Sequence, residues 1–205
     1  DRAGNLAISP AYPLELGHPV TPAASPTPTP LTGPLATVEV ELGAGWNLLG
    51  APLELQTTAS GVLAQVDSQG GQALELDRWQ AGGWTAHLKG LPLNDFPFEI
   101  GGGYFLRTGT SCAWRMQGGV AGAPVKLRLR VGWNLVSMPY ATTLKRASDL
   151  VSAIQGQGGA CDEVDRWMAG AWQTHRAGLP LNDFPLKPGE GYFLHCTEPC
   201  RFTLP

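Results

Sequence analysis

Gly90-Leu91-Pro92-Leu93-Asn94-Asp95-Phe96-Pro97 returns letter for letter as Gly178-Leu179-Pro180-Leu181-Asn182-Asp183-Phe184-Pro185, 88 residues later (178 − 90). The surrounding blocks keep step. Asp77-Arg78-Trp79 recurs as Asp165-Arg166-Trp167, and Gly103-Tyr104-Phe105-Leu106 as Gly191-Tyr192-Phe193-Leu194. Gly45-Trp46-Asn47-Leu48 recurs as Gly132-Trp133-Asn134-Leu135 at a spacing of 87 (132 − 45), so one copy carries a one-residue indel. A fixed internal period of this length sets the domain count. The chain is read as a tail over residues 1–36, a first module over 37–118 and a second over 125–205.

Within a module the side-chain period changes along the chain. Val38, Val40 and Leu42 alternate with Thr37, Glu39 and Glu41, the pattern of a half-buried strand. Trp46 to Gly50 predicts a second strand, stopped by Pro52. Leu144, Ala147, Leu150, Val151 and Ile154 then fall at helical spacing, which predicts one short helix per module, here and over residues 58–69. Glycine clusters end both helices. A hairpin through Trp79 and Trp84, a strand through Tyr104 and a last strand from Cys112 complete the order: strand, strand, helix, four strands. The expected class is mainly β, two tandem β-sandwich or partly open barrel modules, each covered by one short helix. The short link from Gly118 to Pro124 leaves the modules little freedom to tumble apart.

Bulk composition narrows the function. Only 15% of the chain is charged, against 27 glycines and 18 prolines, a turn-rich β composition. A net charge of −3 disfavours nucleic acid as a partner, which asks for a basic face. No run is long and apolar enough to span a membrane as a helix. The chain opens at Asp1 rather than Met, as expected where a leader has been removed or the sequence trimmed. Four cysteines and a low lysine content favour an extracellular or cell-surface location.

The tail has two parts. Asn5, Leu6, Ala7, Ile8 and Ser9 form a short apolar run with nothing nearby in sequence to pair with. From Thr21 to Thr32 the chain is Pro/Thr-rich, an extended polyproline II spacer. Its hydroxyls at Thr21, Ser25, Thr27, Thr29 and Thr32 suit O-glycosylation, since proline on either side keeps them exposed. Asn-x-Ser/Thr is absent, so any glycan is expected to be O-linked.

No constellation for catalysis, a metal or a cofactor emerges. His87 and His175 occupy matched positions, as do Asp77 and Asp165, but one of each per module makes no ligand set for zinc. HExxH, CxxC and GxSxG are absent, and Gly101-Gly102-Gly103 lacks the Lys-Ser/Thr of a phosphate loop and is read as a turn into a strand. An enzyme is not expected. The matched tryptophans, Trp46, Trp79 and Trp84 with Trp133, Trp167 and Trp172, suit either core packing or sugar stacking. Core packing is favoured for at least one per module, and Trp84 with Trp172 is the candidate ligand platform. Cys161 and Cys196 have no cysteine mates in the first module, where Ala73 and Thr108 stand, so they are expected to bond each other. A Cys196–Cys200 link is the rival, and Cys112 and Cys200 either stay free or meet across an interface.

The two modules differ in charge. Glu39 becomes Lys126, Glu41 becomes Arg128, and Arg130 replaces Gly43. Residues 37–118 hold eight acids and four bases, net −4 (4 − 8); residues 119–205 hold seven acids and nine bases, net +2 (9 − 7). Copies aligned head to tail bring opposite charges together, a heterologous contact that grows instead of closing.

The Gly-Trp-Asn-Leu, Asp-Arg-Trp and Gly-Tyr-Phe-Leu blocks together resemble a repeat module of secreted bacterial surface proteins. The order of tail and two modules is similar to the subunits of glycan-coated extracellular fibrils from environmental bacteria, whose β-modules join through a strand lent by a neighbour. The resemblance implies a structural subunit partnered by copies of itself and by covalent glycans, with residues 5–9 as the donor strand. It implies no catalytic residues. The alternative is a cell-surface carbohydrate-binding or adhesion protein that uses the paired tryptophans.

Overall fold

The computed structural model describes residues 33–168 and 170–205. The first module runs β1 (Leu35–Leu42), β2 (Gly45–Gly50), α1 (Ala59–Ser68), β3 (Ala73–Gln80), β4 (Gly83–Leu88), β5 (Gly103–Thr108) and β6 (Cys112–Gly119). The second repeats it as β7 (Lys126–Leu129), β8 (Gly132–Ser137), α2 (Ala147–Gly156), β9 (Cys161–Met168), β10 (Ala171–Arg176), β11 (Gly191–Cys196) and β12 (Cys200–Thr203). The order is the expected one. Each module holds a four-stranded antiparallel sheet, β2-β5-β3-β4 or β8-β11-β9-β10, and a two-stranded one, β1-β6 or β7-β12. Neither module closes into a barrel.

The core of each module lies between its sheets and its helix. Leu49, Leu63, Leu76, Leu106, Trp114 and Met116 fill the first, each 2% exposed or less; Met138, Leu150, Ile154, Val164, Tyr192 and Phe202 fill the second. Alternation along β1 and periodicity along α2 point these apolar faces inward.

The repeated octapeptide is the clamp of each module. Asn94 and Asn182 sit at φ 57° and 52°, a left-handed turn asparagine tolerates. The turn aims Asp95 at the start of α1, where it accepts from Ser60 N–H at 2.8 Å and from the Ser60 and Thr58 hydroxyls. Asp183 does the same for Ser148 on α2 and adds an ion pair to Arg146 at 2.7 Å. Burial alone would raise both carboxyls, but these donors outweigh it and hold them below the usual aspartate range. Phe96 and Phe184 follow, stacked at 6.1 Å on Tyr104 and Tyr192, with the Arg78 and Arg166 guanidinium groups 4.6 Å above their rings. The octapeptide therefore ties a helix N-terminus to the sheet, using a remote carboxylate as the cap.

The modules bond to each other through backbone. Gly50 N–H donates to Gly189 C=O at 2.9 Å, and Ser137 N–H to Gly101 C=O at 2.8 Å. Each module's second strand thus pairs with the loop before β5 or β11 of the other. A Cβ at Gly50 would lie 2.1 Å from Ser137 Cβ, and one at Gly103 2.8 Å from the Leu135 side chain. This close approach explains the Gly101-Gly102-Gly103 run, which was expected only as a turn.

Candidate functional site

Two features stand out: a cleft beside the first strand of each module, and an aromatic patch between the modules. The clefts follow from the phase of the two-stranded ladders. Val120 N–H bonds Pro34 C=O, so the bonded pairs of β1 and β6 fall on even-numbered residues of β1. The N–H and C=O groups of Thr37, Glu39 and Glu41 therefore point away from β6. Leu204 N–H bonds Val125 C=O in the second module, which turns Lys126 and Arg128 outward on β7 in the same way.

The opposite edges are closed by side chains. Gln69, at the end of α1, accepts from Arg115 N–H at 2.8 Å and donates to its C=O at 3.3 Å. Gln157 makes the same pair with Thr203 at 2.9 and 2.8 Å. A primary amide imitates one residue of strand and blunts the edge. On the β1 and β7 side Asn47 and Asn134 make such a pair only with Gly43 and Arg130, just past the strand ends; among the described residues none is made with Thr37, Glu39 or Glu41, nor with Lys126 or Arg128. Beside β1 lies a cleft of about 540 Å³, walled by residues 39–42, by β2 and by Arg166, Trp167 and Lys187 of the second module. Beside β7 lies its counterpart of about 500 Å³, walled by residues 126–130, by β8 and by Arg78, Trp79 and Glu99 of the first.

The aromatic patch sits where the two large sheets face each other. Phe105 and Phe193, centroids 6.4 Å apart, are its centre. Phe193 meets Trp79, Trp84, Trp133 and Trp172 at 5.6–6.1 Å, nearly all edge to face. Phe105 meets Trp46, Trp84, Trp167 and Trp172 at 5.6–6.5 Å. Trp79 Nε1 also donates to Trp133 C=O at 2.9 Å. Of the matched set expected to give at least one core tryptophan per module, Trp79 and Trp167 are half-buried against a small core of Leu48, Leu135 and Phe193 shared by the modules, and the other four are exposed. The buried indole is Trp114, whose repeat mate is Phe202 (202 − 114 = 88). Trp84 and Trp172 are 48% and 49% exposed, and with Trp79, Trp133, Phe193 and Asp165 they line a cavity of about 320 Å³.

Asp77 and Asp165 lie at matched places, and one carboxyl oxygen of each is buried without a hydrogen-bond partner. Burial, with Glu75 beside it, pushes the Asp77 carboxyl up to about 6; burial also raises Asp165, partly offset by the Thr174 hydroxyl. A carboxyl whose folded value lies above its unfolded one binds more protons when folded. Stability at this site is therefore expected to rise as pH falls from 7 through 6 towards 4. Asp95 and Asp183, with lowered values, act in the opposite sense only below about 4, so the two windows separate. Asp77→Asn should stabilise the protein at pH 7 and flatten the slope between pH 4 and 6 in chemical denaturation; an unchanged slope would exclude Asp77 as its source.

The other sequence candidates have plain places. Cys161 and Cys196 form a disulfide across the β9–β11 ladder; the rival Cys196–Cys200 link is not made, and Cys112 and Cys200 are free, partly buried thiols. Burial raises both thiols, which makes them poor nucleophiles. His87 and His175 are buried, with Nδ1 2.9 and 3.1 Å from the Leu93 and Leu181 carbonyls, as supports of the octapeptide loop. No cluster of potential metal ligands occurs among the described residues, and no helix there is long and apolar enough to cross a membrane. The donor run of Asn5 to Ser9 and the hydroxyls of Thr21, Ser25, Thr27, Thr29 and Thr32 lie outside the described residues. Sequence reasoning missed Phe105 and Phe193, hidden in a strand pattern, and Gln69 and Gln157, whose signal was their recurrence at both helix ends.

Comparison with family models, with curated proteins and with solved structures returns no match.

Proposed function

We propose that the chain is a structural subunit of a bacterial extracellular fibril. It polymerises head to tail by lending residues 5–9 to a neighbouring copy and carries O-glycans on its Pro/Thr segment. The observation that supports this reading is the open strand edge in each module, fronted by a cleft of 500–540 Å³, while the opposite edges are blunted by Gln69 and Gln157. Natural sheets rarely leave an edge open without a use, and an extended segment satisfies it by strand addition. The backbone bonds between modules make each chain one bead, and the disulfide is compatible with an oxidising, extracellular location. Deleting residues 1–16 is expected to abolish filaments in electron micrographs; filaments of unchanged appearance would exclude strand donation. A mass of the secreted chain equal to the unmodified 21.7 kDa would exclude the glycans.

The half-exposed Trp84 and Trp172 support a second reading, carbohydrate binding by the aromatic patch. Indole faces stack on pyranose rings, and Asp165 at the cavity wall accepts hydroxyl hydrogens. On this reading Trp84→Ala and Trp172→Ala each weaken retention on a polysaccharide gel by about tenfold, roughly 1.4 kcal/mol. Equal retention of both variants and the parent would discard it.

A further inference from the structure

The outer face of the β7–β12 sheet carries an unbalanced charge. Lys126 and Arg128 on β7, Arg130 just beyond it and Arg201 on β12 are all exposed, and none of them takes part in an ion pair among the described residues. Arg128 and Arg201 are directly opposed across the ladder. Theirs is a pair without backbone hydrogen bonds, the kind in which side chains come closest, so their like charges disfavour the isolated face. At two of these positions the first module carries the other sign, Glu39 for Lys126 and Glu41 for Arg128, while Gly43 and Ala113 stand neutral where the second has Arg130 and Arg201. Glu39 and Glu41 are exposed on β1; Glu39 reaches Arg115 at 2.5 Å, while Glu41 stands opposite Ala113.

We infer that the β7–β12 face of one copy docks on the β1–β6 face of a second copy, Glu39 and Glu41 lying against Arg128 and Arg201. The contact rests on the polymer reading and supplies its direction. Duplication made the two faces alike in strand pairing, though β1 and β6 run eight residues against four in β7 and β12, so an undiverged pair could associate in any combination. The charge reversal at residues 39/126 and 41/128 makes β1 on β1 and β7 on β7 repulsive and leaves only the mixed contact attractive. That contact is heterologous: each docking leaves one acidic and one basic face free, so growth continues in one polarity.

Two charge-reversed variants test it, E39K/E41K with both faces basic and K126E/R128E/R201E with both faces acidic. The positions are exposed, so the folded spectrum of each should match the parent. Each variant alone is expected to raise the critical concentration for assembly about tenfold or more, and an equimolar mixture should restore assembly as an alternating polymer. Assembly should also weaken between 50 and 500 mM salt, as screening shortens the reach of surface charge. Parent-like assembly of either variant alone, or a mixture no better than its components, would overturn the contact while leaving strand donation standing. If the parent forms no filaments, the polymer reading fails, and sedimentation of the mixed variants then decides the contact: a salt-sensitive complex supports it and separate monomers overturn it. Unimpaired assembly of K126E/R128E/R201E with lost retention on heparin-agarose would give the basic face to an acidic polysaccharide and end the inference.

Discussion

Trp114→Ala is expected to destabilise the first module by about 3–5 kcal/mol, the usual cost of emptying a large aromatic site in a core. Trp114 is fully buried in β6, where it meets Phe98 at 6.2 Å and packs among Leu63, Leu76 and Met116. β6 is pinned by β1 along one edge and by the Gln69 amide on the other, so the hole cannot collapse far. Trp114→Phe should behave differently. The second module already places Phe202 at this position, 1% exposed. The indole N–H of Trp114 also has no hydrogen-bond partner, and removing a buried unsatisfied donor offsets part of the lost volume. A cost below about 1.5 kcal/mol is expected for phenylalanine. Guanidinium denaturation of both variants checks the pair; equal costs would show that phenylalanine does not fill the Trp114 site.

The disulfide supplies the second large effect. Its ends are 35 residues apart, and closing a loop of that size constrains the unfolded chain by about 4 kcal/mol in the chain-entropy view. The first module serves as an internal control, because Ala73 and Thr108 occupy the same sites. There the Thr108 hydroxyl donates to Gly43 C=O at 2.7 Å. Cys161→Ala with Cys196→Thr copies that arrangement into the second module, where Arg130 C=O corresponds to the acceptor. This pair should cost less than Cys161→Ala with Cys196→Ala by about 1 kcal/mol, one net hydrogen bond. Denaturation midpoints in air and in reductant measure both terms. A reduced parent as stable as the oxidised one would remove the staple from the account.

Much of this protein was legible in residues alone. Val38, Val40 and Leu42 placed an inward face on β1, and the same periodic argument found both helices, since period is a local property of the chain. The missing mates of Cys161 and Cys196 identified their pairing because loss of one partner leaves no use for the other. The octapeptide was visible as a repeat, but its work was not. Asp95 lies 35 residues from Ser60, and only the turn at Asn94 shows that it caps α1.

The duplicated period, the strand and helix order, the disulfide and the charge reversal between modules were determined by sequence, because each depends on residue type and spacing along one chain. Tertiary structure decided what those residues face. Six matched tryptophans, for which core packing was favoured over a platform, became an interface, because two sheets with aromatic strips bury most apolar surface against each other. Alternation marks which side of a strand is apolar, but not which edge remains unpaired. That depends on Gln69 and Gln157 arriving from distant helices at β6 and β12, and so leaving β1 and β7 open.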